Sequence, residues 1–286
     1  MKCFSSIKTV AALFFSLIAC DSNAMKQALH PYNVDTEQQK AEIIKQQMEP
    51  VKKQADAGKA EDQYYYAKYL ADLNSPDEAA RYFKLAADQD HAKAQFNYGI
   101  CLTNGSGVGK NLDEAAKYLK LAADQGYAKA QFCYGKCLLN GEGVNKNENE
   151  AEHYLKLAAD QDHAKAQFCY GRCLLNGEGV NKNETEAEHY LKLAADQGHE
   201  KAKLLYATCL INKDKPKHYG IAAAYVQSAA DQGLASAQYL YGVLALNGHG
   251  VNKDMSTVKN YWTLAAKQGH VDANLMLNYM FGQRKQ

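Results

Sequence analysis

Ala128 to His163 reads AKAQFCYGKCLLNGEGVNKNENEAEHYLKLAADQDH, and Ala164 to His199 repeats it with three changes, at Arg172, Thr185 and Gly198. The 36-residue offset between Ala128 and Ala164 decides the architecture ahead of any single residue. Within one period, helical spacing of apolar residues occurs twice, on either side of Asn140-Gly141-Glu142-Gly143-Val144. At 100° per residue, Ala130, Tyr134, Cys137 and Leu138 share one face of a first helix, helix A, over about 128–139. Ala151, Tyr154, Leu155, Ala158 and Ala159 form the answering face of a second, helix B, from about Glu148 to Asp160. Gly135 has no side chain and lets a neighbouring helix approach closely. The loop glycines supply the positive φ needed to leave helix A, Val144 plugs the loop from below, and Asn145-Lys146-Asn147 starts helix B. A residue copied in register can mark the copying and not a site.

Outward from this pair, the period extends over six units: 60–91, 92–127, 128–163, 164–199, 200–234 and 235–270. Leu73-Asn74-Ser75-Pro76 replaces the glycine loop in the first, and Ile211 to Tyr219, with Pro216, replaces it in the fifth. Residues 271–286 read as a C-terminal capping helix, over 271–282, and a tail. Residues 37–58 read as an N-terminal capping half-repeat that Pro50 bends or breaks. One such unit cannot bury enough surface alone, and stacking supplies the missing partner. The expectation is an all-α, right-handed superhelix of stacked antiparallel helix pairs, an αα-solenoid.

A net charge of +1 with 23% charged residues carries no electrostatic footprint of a nucleic-acid partner. At the N-terminus, Met1-Lys2 and Lys8 accompany an apolar run from Val10 to Ala19. That run is too short to span a bilayer and has the shape of an export signal over 1–24, with 25–36 as a tether. Two exits are legible. Leu17-Ile18-Ala19-Cys20 resembles a bacterial lipobox, which would lipidate Cys20 and attach the chain to a membrane. Ser22-Asn23-Ala24 offers small residues for an ordinary signal peptidase cutting before Met25. The expected location is therefore exported: periplasmic, membrane-anchored or secreted.

The string Ala-Gln-x-x-Tyr-Gly-x-Cys-Leu-x-Asn-Gly-x-Gly-Val, followed by Ala-x-x-Tyr-x-x-x-Ala-Ala-x-Gln-Gly, resembles the Sel1-like repeat, an αα-solenoid family related to tetratricopeptide repeats. Four units carry the glycine loop and two more keep the helical positions. Tyr98, Tyr134, Tyr170, Tyr206 and Tyr241 stand where the family more often has Leu. The resemblance implies a non-enzymatic, monomeric scaffold that binds a protein or peptide in envelope processes, signalling complexes or host interaction. It also carries a second reading, since some cysteine-rich secreted relatives have been linked to β-lactam binding or hydrolysis. A third reading is a ligand-free structural spacer.

In this solenoid class helix A lines the concave side. A stripe beside its buried face holds Lys129, Cys133 and Lys136. Its equivalents are Lys93, Asn97 and Ile100; Lys165, Cys169 and Arg172; Lys201, Leu205 and Thr208; and Ser236, Leu240 and Val243. This groove runs from basic to apolar, which suits a partner with an acidic segment followed by an apolar one. No cofactor and no metal are implied. The cysteines lack zinc spacing, and in-register copies lie one helix-packing distance apart, too far for a disulfide. Copied histidines at His91, His163, His199 and His270, with His153 and His189 on helix B, read as solvated side chains. Ser256-Thr257-Val258-Lys259 matches the S-x-x-K start of penicillin-recognising enzymes, but no S-D-N or K-T-G follows.

Overall fold

The computed structural model describes residues 37–282, so the export segment and tether fall outside the described residues. Fourteen helices and no strand occur among the described residues, in two compact units that divide between Asn111 and Leu112. The first holds α1 (Glu37–Asp56), α2 (Ala60–Asp72), α3 (Pro76–Ala87) and α4 (Ala92–Asn104). The second holds α5 (Leu112–Asp124), α6 (Ala128–Asn140), α7 (Glu148–Asp160), α8 (Ala164–Asn176), α9 (Glu184–Asp196), α10 (Glu200–Asn212), α11 (Pro216–Asp231), α12 (Ala235–Asn247), α13 (Met255–Lys267) and α14 (Val271–Phe281). Within each unit every helix packs on its chain neighbours, so the fold is all-α and built from stacked helix pairs.

Small residues set the spacing of those pairs. Ala151, Leu155, Ala158 and Ala159 of α7 are buried, as are their copies Ala187, Leu191, Ala194 and Ala195 of α9. Opposite them, a Cβ added at Gly135 would meet Leu155 Cγ at 3.0 Å and the Ala151 carbonyl at 3.2 Å. Tyrosine fills the remaining width: Tyr134 and Tyr154 meet edge to face at 5.0 Å between ring centres, and Tyr170 and Tyr190 do so at 4.9 Å.

The glycine loop works as expected at its first glycine. Gly141 takes φ 72° and donates its amide to the Cys137 carbonyl at 2.8 Å, closing α6. Its second glycine has a role the sequence reading did not assign. Gly143, at φ 70°, lies so close to the first residue of α5 that a Cβ would stand 2.0 Å from the Leu112 carbonyl oxygen. Gly179 meets the Glu148 carbonyl in the same way, at 2.1 Å. Each loop therefore clamps the helix B start of the preceding repeat.

Where the glycine loop is missing, a shorter turn takes over. Asn74 (φ 57°) and Asp214 (φ 47°) carry the positive φ, and Pro76 and Pro216 open α3 and α11. Of the expected bend or break at Pro50, the break does not occur, since α1 runs through it. Pro50 and Gln46, whose carbonyl loses the proline's missing N–H, are both exposed, which leaves that carbonyl open to solvent.

Candidate functional site

The stripe beside the buried face of helix A is a mixed surface. In the second unit Lys129, Lys136, Lys165, Arg172 and Lys201 are exposed, whereas Cys133, Cys169, Leu205, Leu240 and Val243 are half-buried. In the first unit Lys93 is exposed, and Asn97 spends its amide on the Lys93 carbonyl at 2.9 Å. Several stripe residues of the second unit lie within electrostatic reach of one another. Lys136 and Lys165 both act on Cys133, while Arg172 and Lys136 act on Cys169. Lys136 also sits over the Phe132 ring at 5.9 Å, and Arg172 is drawn to Glu178 of its own loop at 3.7 Å. The apolar end is largely absorbed by the interior, since Leu205 and Leu240 pack on one core cluster and Val243 on another.

Three lysines of helix B are paired in a recurring way. On helix B, Lys120, Lys156 and Lys192 reach Asp124, Asp160 and Asp196 one turn on, at 2.8, 2.8 and 2.6 Å. A tyrosine of the next repeat joins each pair. Tyr154 and Tyr190 donate to Asp124 and Asp160 at 2.5 Å, and Tyr225 donates to Asp196. Burial alone would raise the Asp124 carboxyl, but hydrogen bonds from Lys120 and Tyr154 hold it below its ordinary value. Lys129, Lys136, Lys165 and Lys201 on helix A have no such carboxylate partner among the described residues.

The cysteines are thiols with no chemistry drawn out of them. The six described ones are free; Cys3 and Cys20 lie outside the described residues. Burial pushes the Cys133 thiol up, against a smaller downward pull from Lys136 and Lys165. Burial and Glu178 push Cys173 up to about 12, and burial and Glu142 push Cys137 up to about 11. Such thiols stay protonated at neutral pH and make poor nucleophiles. Among the described residues no group of three His, Cys, Asp or Glu is placed to hold a metal. Ser256 donates its hydroxyl to Asp254 at 2.8 Å, as part of the cap that opens α13, and Lys259 lies over Phe281 at 5.7 Å. The S-x-x-K string is thus a helix start.

The reading of the recurring histidines as solvated side chains is corrected. His91, His163, His199 and His270 each precede a helix A and accept its third amide through Nδ1, at 3.1 to 3.3 Å. Each also packs against an aromatic ring of the preceding helix A: Tyr64, Phe132, Phe168 and Tyr239 respectively. Histidine is outside the usual capping set of Ser, Thr, Asp and Asn, so the position was legible and the role was not. His153 and His189 on helix B are exposed, as expected.

Stacked helix pairs with a 36-residue period and glycine-closed A helices define an αα-solenoid repeat protein. The chain belongs to the Sel1 repeat family, whose model matches residues 60–91, 92–127, 128–163, 164–199 and 235–270. It is similar to the crystal structure of c5321, a protective antigen present in uropathogenic Escherichia coli strains displaying an SLR fold (TM-score 0.75, 25% identity). That match covers 82% of this chain and 52% of the other, so this chain spans about half its length. It is also similar to a Sel1 repeat protein from Oxalobacter formigenes (TM-score 0.70, 28% identity, covering 78% of this chain and 90% of that one). No curated protein matches the sequence. Sel1 repeat proteins are generally protein-interaction scaffolds.

Proposed function

We propose that this chain is a non-enzymatic scaffold whose second unit binds an acidic segment of a protein or peptide along the helix A stripe. One observation carries the reading: Lys120, Lys156 and Lys192 of helix B are paired with aspartates, while Lys129, Lys136, Lys165 and Lys201 of the helix A stripe have no such partner among the described residues. Uncompensated charge on one stripe of a nearly neutral chain steers an oppositely charged partner. Arg172, drawn to Glu178, contributes less. Lys93, on the first unit, is a separate contact. The N-terminal export signal would place the scaffold in the envelope or outside the cell, either lipidated on Cys20 or soluble from Met25. Intact mass of the mature protein distinguishes the two.

The binding test uses a fluorescent glutamate-rich peptide at low salt, read by anisotropy. Lys136→Glu with Lys165→Glu should weaken binding at least tenfold, and added salt should weaken it further. Lys253→Glu, on a glycine-loop lysine, should change it less than twofold. Equal losses from both variants, or no binding by the unmodified protein, would leave the spacer reading in its place.

A further inference from the structure

We infer that His163 and His199 make the helix A starts of the second unit acid-labile, a pH-responsive device built into the repeat. Each imidazole accepts the third amide of the helix it precedes, Ala166 N to His163 Nδ1 and Ala202 N to His199 Nδ1, both at 3.2 Å. Acceptance through Nδ1 requires that nitrogen to be unprotonated. The same amides also reach the histidines' own carbonyls, at 2.8 and 3.0 Å. Protonation therefore does not orphan the amide; it sets two N–H groups against each other at the positive end of the helix dipole.

The surroundings point the same way. His163 lies against Phe132 of α6 and feels Lys129 of that helix and Lys165 of its own. His199 lies against Phe168 of α8 and feels Lys165 of that helix, with Lys201 and Glu200 on its own. Glu200 is the one carboxylate pulling the other way. Burial first, helped by these lysines and opposed by a backbone hydrogen bond at each histidine, holds both imidazoles below the ordinary value of 6.5. A histidine harder to protonate when folded binds fewer protons than the unfolded chain. Stability is then complete above about 6.5 and falls as pH drops through that value, until the folded-state pKa is passed.

The test is thermal unfolding of the full chain between pH 7.5 and 5.0, compared with His163→Asn/His199→Asn. Asparagine caps a helix without titrating. The native protein should lose several degrees of melting temperature over that range, and the variant at most half as much. His153→Asn/His189→Asn, on the exposed helix B histidines, should behave like the native protein. An NMR titration of the native imidazoles guards against a variant that folds poorly: His163 and His199 should titrate below 6.5. Titration at or above 6.5, or equal pH dependence in native and variant protein, overturns the inference.

Discussion

Gly143 illustrates what one residue decides in this chain. Its φ of 70° would cost an alanine about 1–2 kcal/mol. The larger penalty comes from space, because a Cβ there would stand 2.0 Å from the Leu112 carbonyl, which belongs to the backbone of a packed helix. Gly126 separates the two effects. It has φ 85° but nothing within 4 Å of the position a Cβ would take. Gly126→Ala should cost about 1 kcal/mol in urea unfolding, and Gly143→Ala about 3 kcal/mol or more. Equal losses would mean that the loop does not clamp α5. The two glycines of Gly141-Glu142-Gly143 looked alike in the sequence. Only the stacking of one repeat on the last makes the second irreplaceable, and a period cannot show that.

At the scale of the element, buried glutamines join each helix A to its surroundings. Gln131 donates to the Ala123 carbonyl of α5 at 3.2 Å and accepts from Gln161 at the end of α7 at 2.8 Å. Gln167 does the same with Ala159 and Gln197. The fifth repeat departs from this at two places that meet in space. Lys203 stands at the glutamine position, and its ammonium donates to Ser228 at 2.9 Å, where α7 and α9 have Leu157 and Leu193. That hydroxyl is the nearer of the ammonium's two acceptors, Gln232 Oε1 lying at 3.5 Å, and a leucine would remove it. Ser228→Leu alone should therefore cost about 2 kcal/mol, and adding Lys203→Gln should restore most of the loss. A double-mutant cycle with coupling below about 0.5 kcal/mol would make the two positions independent. Helix limits, the buried alanine faces and the close approach at Gly135 were all legible, because each depends on spacing within one element. The glutamine links and the Tyr154–Asp124 bond were not, because each joins residues of different repeats whose sequence patterns are satisfied separately. The basic stripe lies between these cases: its residues were legible, but their lack of aspartate partners stood out only against the pairs made by Lys120, Lys156 and Lys192.

For the whole molecule, tyrosine is the residue on which stability at the alkaline limit depends. There are twenty, against one tryptophan. Burial first, with added hydrogen bonds to aspartates, pushes Tyr82, Tyr225 and Tyr261 up to about 12. Burial and Glu150 bring Tyr134 to the same value. A phenol that ionises near 12 when folded and near 10 when unfolded keeps its proton longer in the native state. Stability is therefore intact below about pH 10 and falls as pH climbs toward 12. The paired lysines add to the same limb, since Asp124 raises Lys120 above its ordinary value and that contribution too is lost only at high pH. Tyrosinate absorbance measures this directly. In native protein the titration should be displaced upward from that of the urea-unfolded chain, and a sharp cooperative rise should coincide with loss of helical circular dichroism. Tyr154→Phe, which removes one aspartate bond and leaves the ring in place, should lower stability at pH 7 by about 1 kcal/mol and leave the alkaline limb nearly as steep. If native and unfolded titrations superimpose, the tyrosines are not held protonated by the fold. The interlocking of repeats through Tyr–Asp–Lys contacts would then count for little in holding each unit together.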